Sequence, residues 1–583
     1  MRLSRAEYLR RYGPTTGDLV RLGDTDLWVR VEADHVGAGD EPIWGYAKNL
    51  RSRQAQYDRA SDETELDMVI AGVLVIDPLL GVVKTNIGIK DGRILGVGRA
   101  GNPEITDEVE LVIGPNTWPV NGYGLIATAG AIDSHVHLIT PRLVPVALAG
   151  GVTTLITAGF EEPPYVMERT YLAFEDLPVN LGLQASARTD LGWPVERVLE
   201  AGACGLKIHE DWGAYPEIVD AVLSLVEPHD VQVCLHTDGL NESSELEDTV
   251  AAIGGRTVHA YHVEGVGGGH VPDLIGLVRE PNVICSSTTP TVPYGKATAA
   301  EHLEMILAVH GGSAAVPEDV EAARERIHPA TMAAEGPLHE LGAIQIVNSD
   351  SQGMGRIGET VRKTFQLADA MKRWRASEAG AGWPAAPPVR RWVPAAERTE
   401  GAAAEAEGAG DDNERVLRYL AKVTVDPAIV HGVAAEVGSL APGRLADIVL
   451  WRPEWFGVRP HLVLKAGAFA WGALGEGNAT IEGAQPVRQG PHWAGTGRAG
   501  ASVGTTFVSR AALEAGIRER LGSRRRFVAV SGTRGLTREA LVAGRAWLPV
   551  EVDPGDGTVR LEGRVLACEP VDRVPLSRRY LLA

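Results

Sequence analysis

The chain has 583 residues, 44% of them hydrophobic and 23% charged, with a formal net charge of −20. That length exceeds what one hydrophobic core organises, so two or three domains are expected. The acidic balance excludes a broad nucleic-acid or anionic-membrane surface, where phosphates would repel the protein. Four cysteines, Cys204, Cys234, Cys285 and Cys568, stand far apart with no CxxC pair; this excludes a disulfide scaffold and a cysteine-built zinc site and fits a reducing compartment.

The first residues, MRLSRAEYLRRYGP, lack the apolar core of a signal peptide, which makes a cytoplasmic protein the expectation. From Leu66 to Gly98 short β-rich runs with turn signals such as Asp91-Gly92 predict an antiparallel, sandwich-like segment. From about Ile126 the pattern changes. Apolar runs (LIATAGAID, GVTTLITAG, CGLKIHE, VQVCLH, TVHAYHVE, NVICSS, AIQIVNSD) alternate with helix-compatible stretches. So many βα units in about 300 residues predict a closed (β/α)8 TIM-type barrel. The uncharged stretch Leu143–Phe160 contains Pro145, Gly150, Gly151 and three threonines, and reads as helix, turn and buried strand, not a membrane span.

Residues 376–412, rich in Ala, Gly, Glu and Pro, read as a mobile insertion. Short β-runs then return, so the sandwich is expected to draw on both sides of the barrel. The expected domains are 1–125 and 423–480 for the sandwich, 126–422 for the barrel, and 481–583 for a C-terminal α/β segment packing on it. The SRRRF run, Ser523–Phe527, reads as a solvated turn.

Ionisable residues at barrel strand ends are where this fold places catalysis. His135 and His137 share one face of AIDSHVHL. His236 ends VQVCLH and Asp350 ends AIQIVNSD, while His259 and His262 have opposite strand parity, so at most one of the two faces the same site. Imidazoles and a carboxylate from separate strand ends suit borderline divalent metals. In GLKIHEDWG, Lys207, His209 and Asp211 fall at alternate positions. An ammonium aimed at cations would be repelled. A Lys207–Asp211 ion pair and a Schiff-base lysine are alternatives, but a carbamate formed from carbon dioxide turns this cation into an anion with two oxygens and makes it a metal bridge. GVGGGH, Gly265–His270, has His270 where a dinucleotide fingerprint needs its third glycine, and is not read as a nucleotide loop.

These segments, with YGPTTGDLVRLGDTDLW, LHTDGLNES, GGRTVHAYHVEGVGGGHVPD, SSTTPTVPY, NSDSQGMGR and the ending RRYLLA, closely resemble the α (catalytic) subunit of urease in the amidohydrolase superfamily, over nearly the whole chain. The resemblance implies two Ni2+ ions, one held by His236 and His262 and the other by His135, His137 and Asp350, with carbamylated Lys207 bridging them. It implies hydrolysis of urea to ammonia and carbamate by attack of metal-bound hydroxide, His209 and Gly353 binding substrate, and His310 on a helical flap as proton donor tuned by Asp211 and Arg326. It further implies β and γ subunits, assembly around a threefold axis and nickel-delivery accessory proteins.

Two departures stand out. Val309 replaces the family's usual cysteine before the flap histidine, and the segment after GVTTL is about ten residues shorter than the family's pocket-lining loop, around 159–165, and carries Glu161 and Glu162. The alternatives are a related binuclear amidohydrolase acting on a cyclic amide or ureide, and a non-catalytic urease-like paralogue.

Overall fold

The computed structural model describes residues 3–159, 163–209, 213–236, 245–266, 272–392, 410–474 and 488–577. The β-rich ends build one ten-stranded sheet. From one side of the β/α region come Met68–Asp77, Gly81–Lys90 and Ile126–Ala129, and from the other Ile448–Trp451, Leu462–Lys465 and Ala468–Leu474. The sheet is mixed where an antiparallel sandwich was expected. Met68–Asp77 pairs in parallel with Trp118–Asn121 along its first half and with Ile126–Ala129 along its second. Gly72 lies between these two pairing segments at φ +64°, and the Tyr123 ring fills the space a Cβ would need. A residue in that region costs an ordinary side chain conformational strain, which glycine avoids.

Residues 131–348 supply parallel strands separated by helices. Ala131–Val136, Val152–Thr157 and Asn180–Gly182 belong to a five-stranded sheet. Gln184–Ser186, Gly205–Ile208, Gln232–Leu235, Val258–Ala260, Val283–Thr288 and Ile346–Asn348 form a six-stranded one. Val152–Thr157, Gly205–Ile208 and Gln232–Leu235 are buried throughout, as expected of parallel strands covered on both faces. Among the described residues the ladders therefore run as two parallel sheets, a TIM-type array with an additional sheet domain. Only Leu183 separates the two sheets along the chain. At the far edges the His137 amide donates to the Ser351 carbonyl at 2.9 Å and the Ser351 amide to the His135 carbonyl at 3.3 Å, so the first and last strand ends meet.

The C-terminal α/β segment contributes two strands to the first of these sheets. Thr505–Val508 pairs in parallel with Asn180–Gly182, and Arg526–Ala529 pairs with Thr505–Val508. The expectation of a solvated turn at Ser523–Phe527 fails at Arg525, which is 2% exposed. Its guanidinium donates to the carbonyls of Phe174, Leu177 and Val179 and to Thr506 Oγ1. A charge with so many N–H groups satisfied tolerates burial.

The expected mobile insertion also needs correction at its ends. Trp383 and Val389 are buried, the Arg390 amide donates to the Val542 carbonyl and the Trp392 amide to the Leu79 carbonyl. Residues 393–409 lie outside the described residues. Among the described residues no helix is long and apolar enough to cross a membrane.

Candidate metal centre

A cavity of about 840 Å³ opens at the ends of the parallel strands. His135, His137, Lys207, His209, His236, His262, His310, Asp350 and Gly353 all line it. His259, the other half of the parity question, does not. His262 follows the strand Val258–Ala260 and sits at φ +32°, a turn of the backbone that breaks strict alternation and brings its ring to 4.3 Å from that of His236. Asp211 lies outside the described residues, as do Glu161 and Glu162.

Two groups of donors are evident. In the first, His135 Nε2 and His137 Nε2 each lie 3.2 Å from Asp350 Oδ1. In the second, His236 packs against His262 and against His209, whose ring centroid is 4.1 Å away. The His135 and His262 rings are 5.7 Å apart. Burial, reinforced by the Lys207 ammonium and the neighbouring imidazoles, holds His135 well below the usual imidazole range. Burial, with His262 and Lys207 adding to it, does the same for His236. Both rings are therefore neutral and offer lone pairs. Burial pushes the Asp350 carboxyl up, but the hydrogen bond and charge of His137, with His262 and Lys207, outweigh it and keep the group ionised. Around one tetrahedral cation with bonds of about 2.0–2.1 Å, adjacent donors stand about 3.3 Å apart; the separations about Asp350 match. Imidazole nitrogens with a carboxylate oxygen suit zinc, nickel, manganese or iron, so the residues present fit a metal.

Lys207 is almost fully buried and its ammonium lies 5.0 Å from the Tyr261 ring centroid. Tyr261, absent from the expected site, stacks on His135 at 4.0 Å and donates its hydroxyl to the Ser134 carbonyl. Asp133 is a second unexpected support. It accepts from the Ser349 amide and the Thr360 hydroxyl, tying the first strand to the chain before Asp350, and burial raises its carboxyl to about 6. Two glycines are shaped by the site. A Cβ at Gly353 would lie 2.4 Å from Asp350 Oδ1, and one at Gly159 (φ +85°) would meet Lys207 Cβ at 3.0 Å. The position of Asp133 two residues before His135 was the one sequence signal for these supports; the rest depend on tertiary contact.

At the rim, exposed His310 ends the helix Thr298–Val309. Its Nδ1 is 3.0 Å from the Ile306 carbonyl, so Nδ1 carries the proton, and Nε2 accepts from Arg326 Nη1 at 3.3 Å. Val309, Leu138, Ile139, Val166 and Met354 give the mouth an apolar wall.

A family model described as the amidohydrolase family matches residues 126–386 and 395–469, and one described as the urease alpha-subunit N-terminal domain matches residues 1–120. Among solved structures the chain is similar to a D-hydantoinase (14% identity, 70% of this chain and 95% of that one, TM-score 0.46). It is also similar to a dihydropyrimidinase from Brevibacillus agri NCHU1002 (12%, 69% and 94%, TM-score 0.48). A D-hydantoinase (dihydropyrimidinase) from Thermus sp. matches at 14% identity over 69% of this chain and 95% of that one, with a TM-score of 0.47.

Proposed function

This chain belongs to the amidohydrolase family and is urease alpha-like in its first 120 residues; from that premise we propose that it is the catalytic subunit of a urease, hydrolysing urea to ammonia and carbamate. The observation that carries the reading is the convergence in one pocket of His135, His137, Lys207, His209, His236, His262 and Asp350, with His310 paired to Arg326 at its mouth. We read the two parallel sheets as staves of one (β/α)8 barrel within 126–422, with 1–125 and 423–480 forming the sheet domain and 481–583 packing on the barrel.

Two Ni2+ ions would be held by His135, His137 and Asp350 on one side and His236 and His262 on the other, with Lys207 as a carbamate between them. Bound, they supply Lewis-acid polarisation and an activated water. The chain's own groups do the rest. His209 donates a hydrogen bond to the urea carbonyl oxygen, and Gly353 leaves room beside Asp350. His310 carries its proton on Nδ1 and holds Nε2 as an acceptor from Arg326; once that contact opens, Nε2 takes up a proton from solvent and passes it to the leaving ammonia. Asp211 completes the tuning of this histidine. Partner β and γ subunits and nickel-delivery proteins belong to the same proposal.

The width of the pocket and its apolar mouth favour a second reading, a cyclic amide or ureide substrate. Expression with nickel and accessory proteins, followed by metal counting and steady-state comparison of urea, hydantoin and dihydropyrimidine, separates the two. Ammonia from urea with no turnover of the cyclic compounds is expected. A loaded centre that opens only the rings sinks the urease reading, and a centre that stays empty revives the non-catalytic paralogue.

A further inference from the structure

A second cluster of donors lies under the first. Cys234 and His259 are register partners on the adjacent parallel strands Gln232–Leu235 and Val258–Ala260. His431 follows the distant helix Val425–Val430. All three are buried, at 0%, 0% and 3% exposure. Cys234 Sγ is 3.8 Å from His259 Nδ1, which is 3.2 Å from His431 Nε2, and the three donor atoms all lie within 4.8 Å of one another. For bonds of about 2.0–2.1 Å to nitrogen and about 2.3 Å to sulfur, a tetrahedral ion sets adjacent N···N pairs about 3.3 Å apart and N···S pairs about 3.6 Å. The two measured spacings, 3.8 and 3.2 Å, follow those edges. None of the three residues lines the hydrolytic pocket. The Tyr261 ring stands against both His135 (4.0 Å) and His259 (4.7 Å), a wall one ring thick between the two clusters.

We propose that Cys234, His259 and His431 form a second, structural metal site, taking one borderline-soft dication of the zinc class. A thiolate with two imidazoles is a donor set that such an ion favours over the harder cations. Loading forms one metal–sulfur and two metal–nitrogen bonds. The thiol S–H bond breaks and its proton leaves to solvent, both imidazoles bind as neutral rings, and a water fills the fourth position. Burial keeps both imidazoles neutral, pushing His431 down to about 3. The Cys234 thiol gives up its proton as the ion arrives. The expectation that no cysteine-built zinc site exists came from the lack of CxxC spacing; here the three ligands are 25 and 172 residues apart in sequence. The ion would pin the strands two residues before His236 and three before His262, and so hold these two rings in place from below.

Cobalt(II) distinguishes the two clusters, because only a thiolate gives an intense near-ultraviolet charge-transfer band and no cysteine lines the hydrolytic pocket. The full chain produced in cobalt-supplemented medium should show that band. Cys234→Ala and His431→Gln should lose it together with one equivalent of metal per chain. Lys207→Ala, which empties the hydrolytic pocket, should keep it, so the test stands whether or not the urease reading does. If the alanine variant does not fold, Cys234→Ser serves, with loss of the band at retained secondary structure as the expected result. A wild-type chain without the band at saturating cobalt, or a Cys234→Ala chain with unchanged band and metal content, overturns the proposal and leaves a hydrogen-bonded thiol–imidazole cluster only.

Discussion

Replacing Gly353 with alanine should disable the His135–His137–Asp350 cluster without unfolding the protein. The added Cβ would stand 2.4 Å from Asp350 Oδ1, 3.0 Å from its Cγ and 3.1 Å from His137 Cδ2, where ordinary contact begins near 3.4 Å. The carboxylate must therefore retreat by about 1 Å or the segment must strain. It has little freedom to rotate. Oδ2 accepts from the Met354 amide at 3.2 Å, the Asp350 carbonyl accepts from the amides of Gly353 and Gly355, and Asp350 sits at φ +54°. Retreat moves Oδ1 off the two Nε2 atoms it faces at 3.2 Å. A displacement of about 1 Å at a reacting centre costs on the order of 100-fold in rate, or about 2.7 kcal/mol of transition-state stabilisation. The assay is kcat/KM for ammonia release from urea beside metal counted per chain, with a melting curve as control. Expected are an approximately 100-fold fall and a loss of metal with the melting temperature little changed. A Gly353→Ala protein with wild-type metal content and rate would show that the carboxylate is not fixed as described, and the reasoning would fail.

Further expectations concern the same pocket and one distant core position. Lys207→Ala should lose bound metal and activity together, with partial recovery on adding small carboxylic acids; metal retained without any added acid would argue against a bridging role. His310→Ala should keep its metal and turn over about 10²–10⁴-fold more slowly, and metal analysis showing an empty site would remove the proton-donor assignment. Buried Lys422, which donates to the Ile344 carbonyl, is lowered by burial to about 7. Its folded value lies below the unfolded value of about 10.4, so between the two the unfolded chain binds the extra proton and stability rises with pH. The slope is at most about 1.4 kcal/mol per pH unit. Denaturant unfolding at pH 7.5 and 9.5 should show wild type gaining about 2–3 kcal/mol relative to Lys422→Met; parallel pH profiles for the two proteins would contradict this.

Much of the pocket was readable because its ligands end apolar runs. His135, His137, His236 and Asp350 each close a run of buried strand residues, and Lys207 and His209 alternate as a strand requires. The choice between His259 and His262 was not readable from alternation, since the chain turns at His262 after the ladder ends at Ala260. Gly353 and Gly159 escaped a physical account because their constraint is a neighbour's side chain, which no local pattern encodes. Arg525 was misread for a similar reason: a basic run on paper says nothing of the five carbonyls that satisfy its middle member. The sheet was called a sandwich because short β-runs and turns do not reveal which strand half pairs with which neighbour.

The pairing of Thr505–Val508 with Asn180–Gly182 has a consequence for biogenesis. Ribosomes add roughly 5–20 residues per second, so about 15 to 65 seconds separate the emergence of Asn180–Gly182 from that of its distant partner. During that interval the edge of a strand that ends up buried has no mate, and its open backbone groups can recruit another nascent copy. Faster elongation or a bound holdase should raise the soluble yield, while truncation ahead of Thr505 should send the product to inclusion bodies.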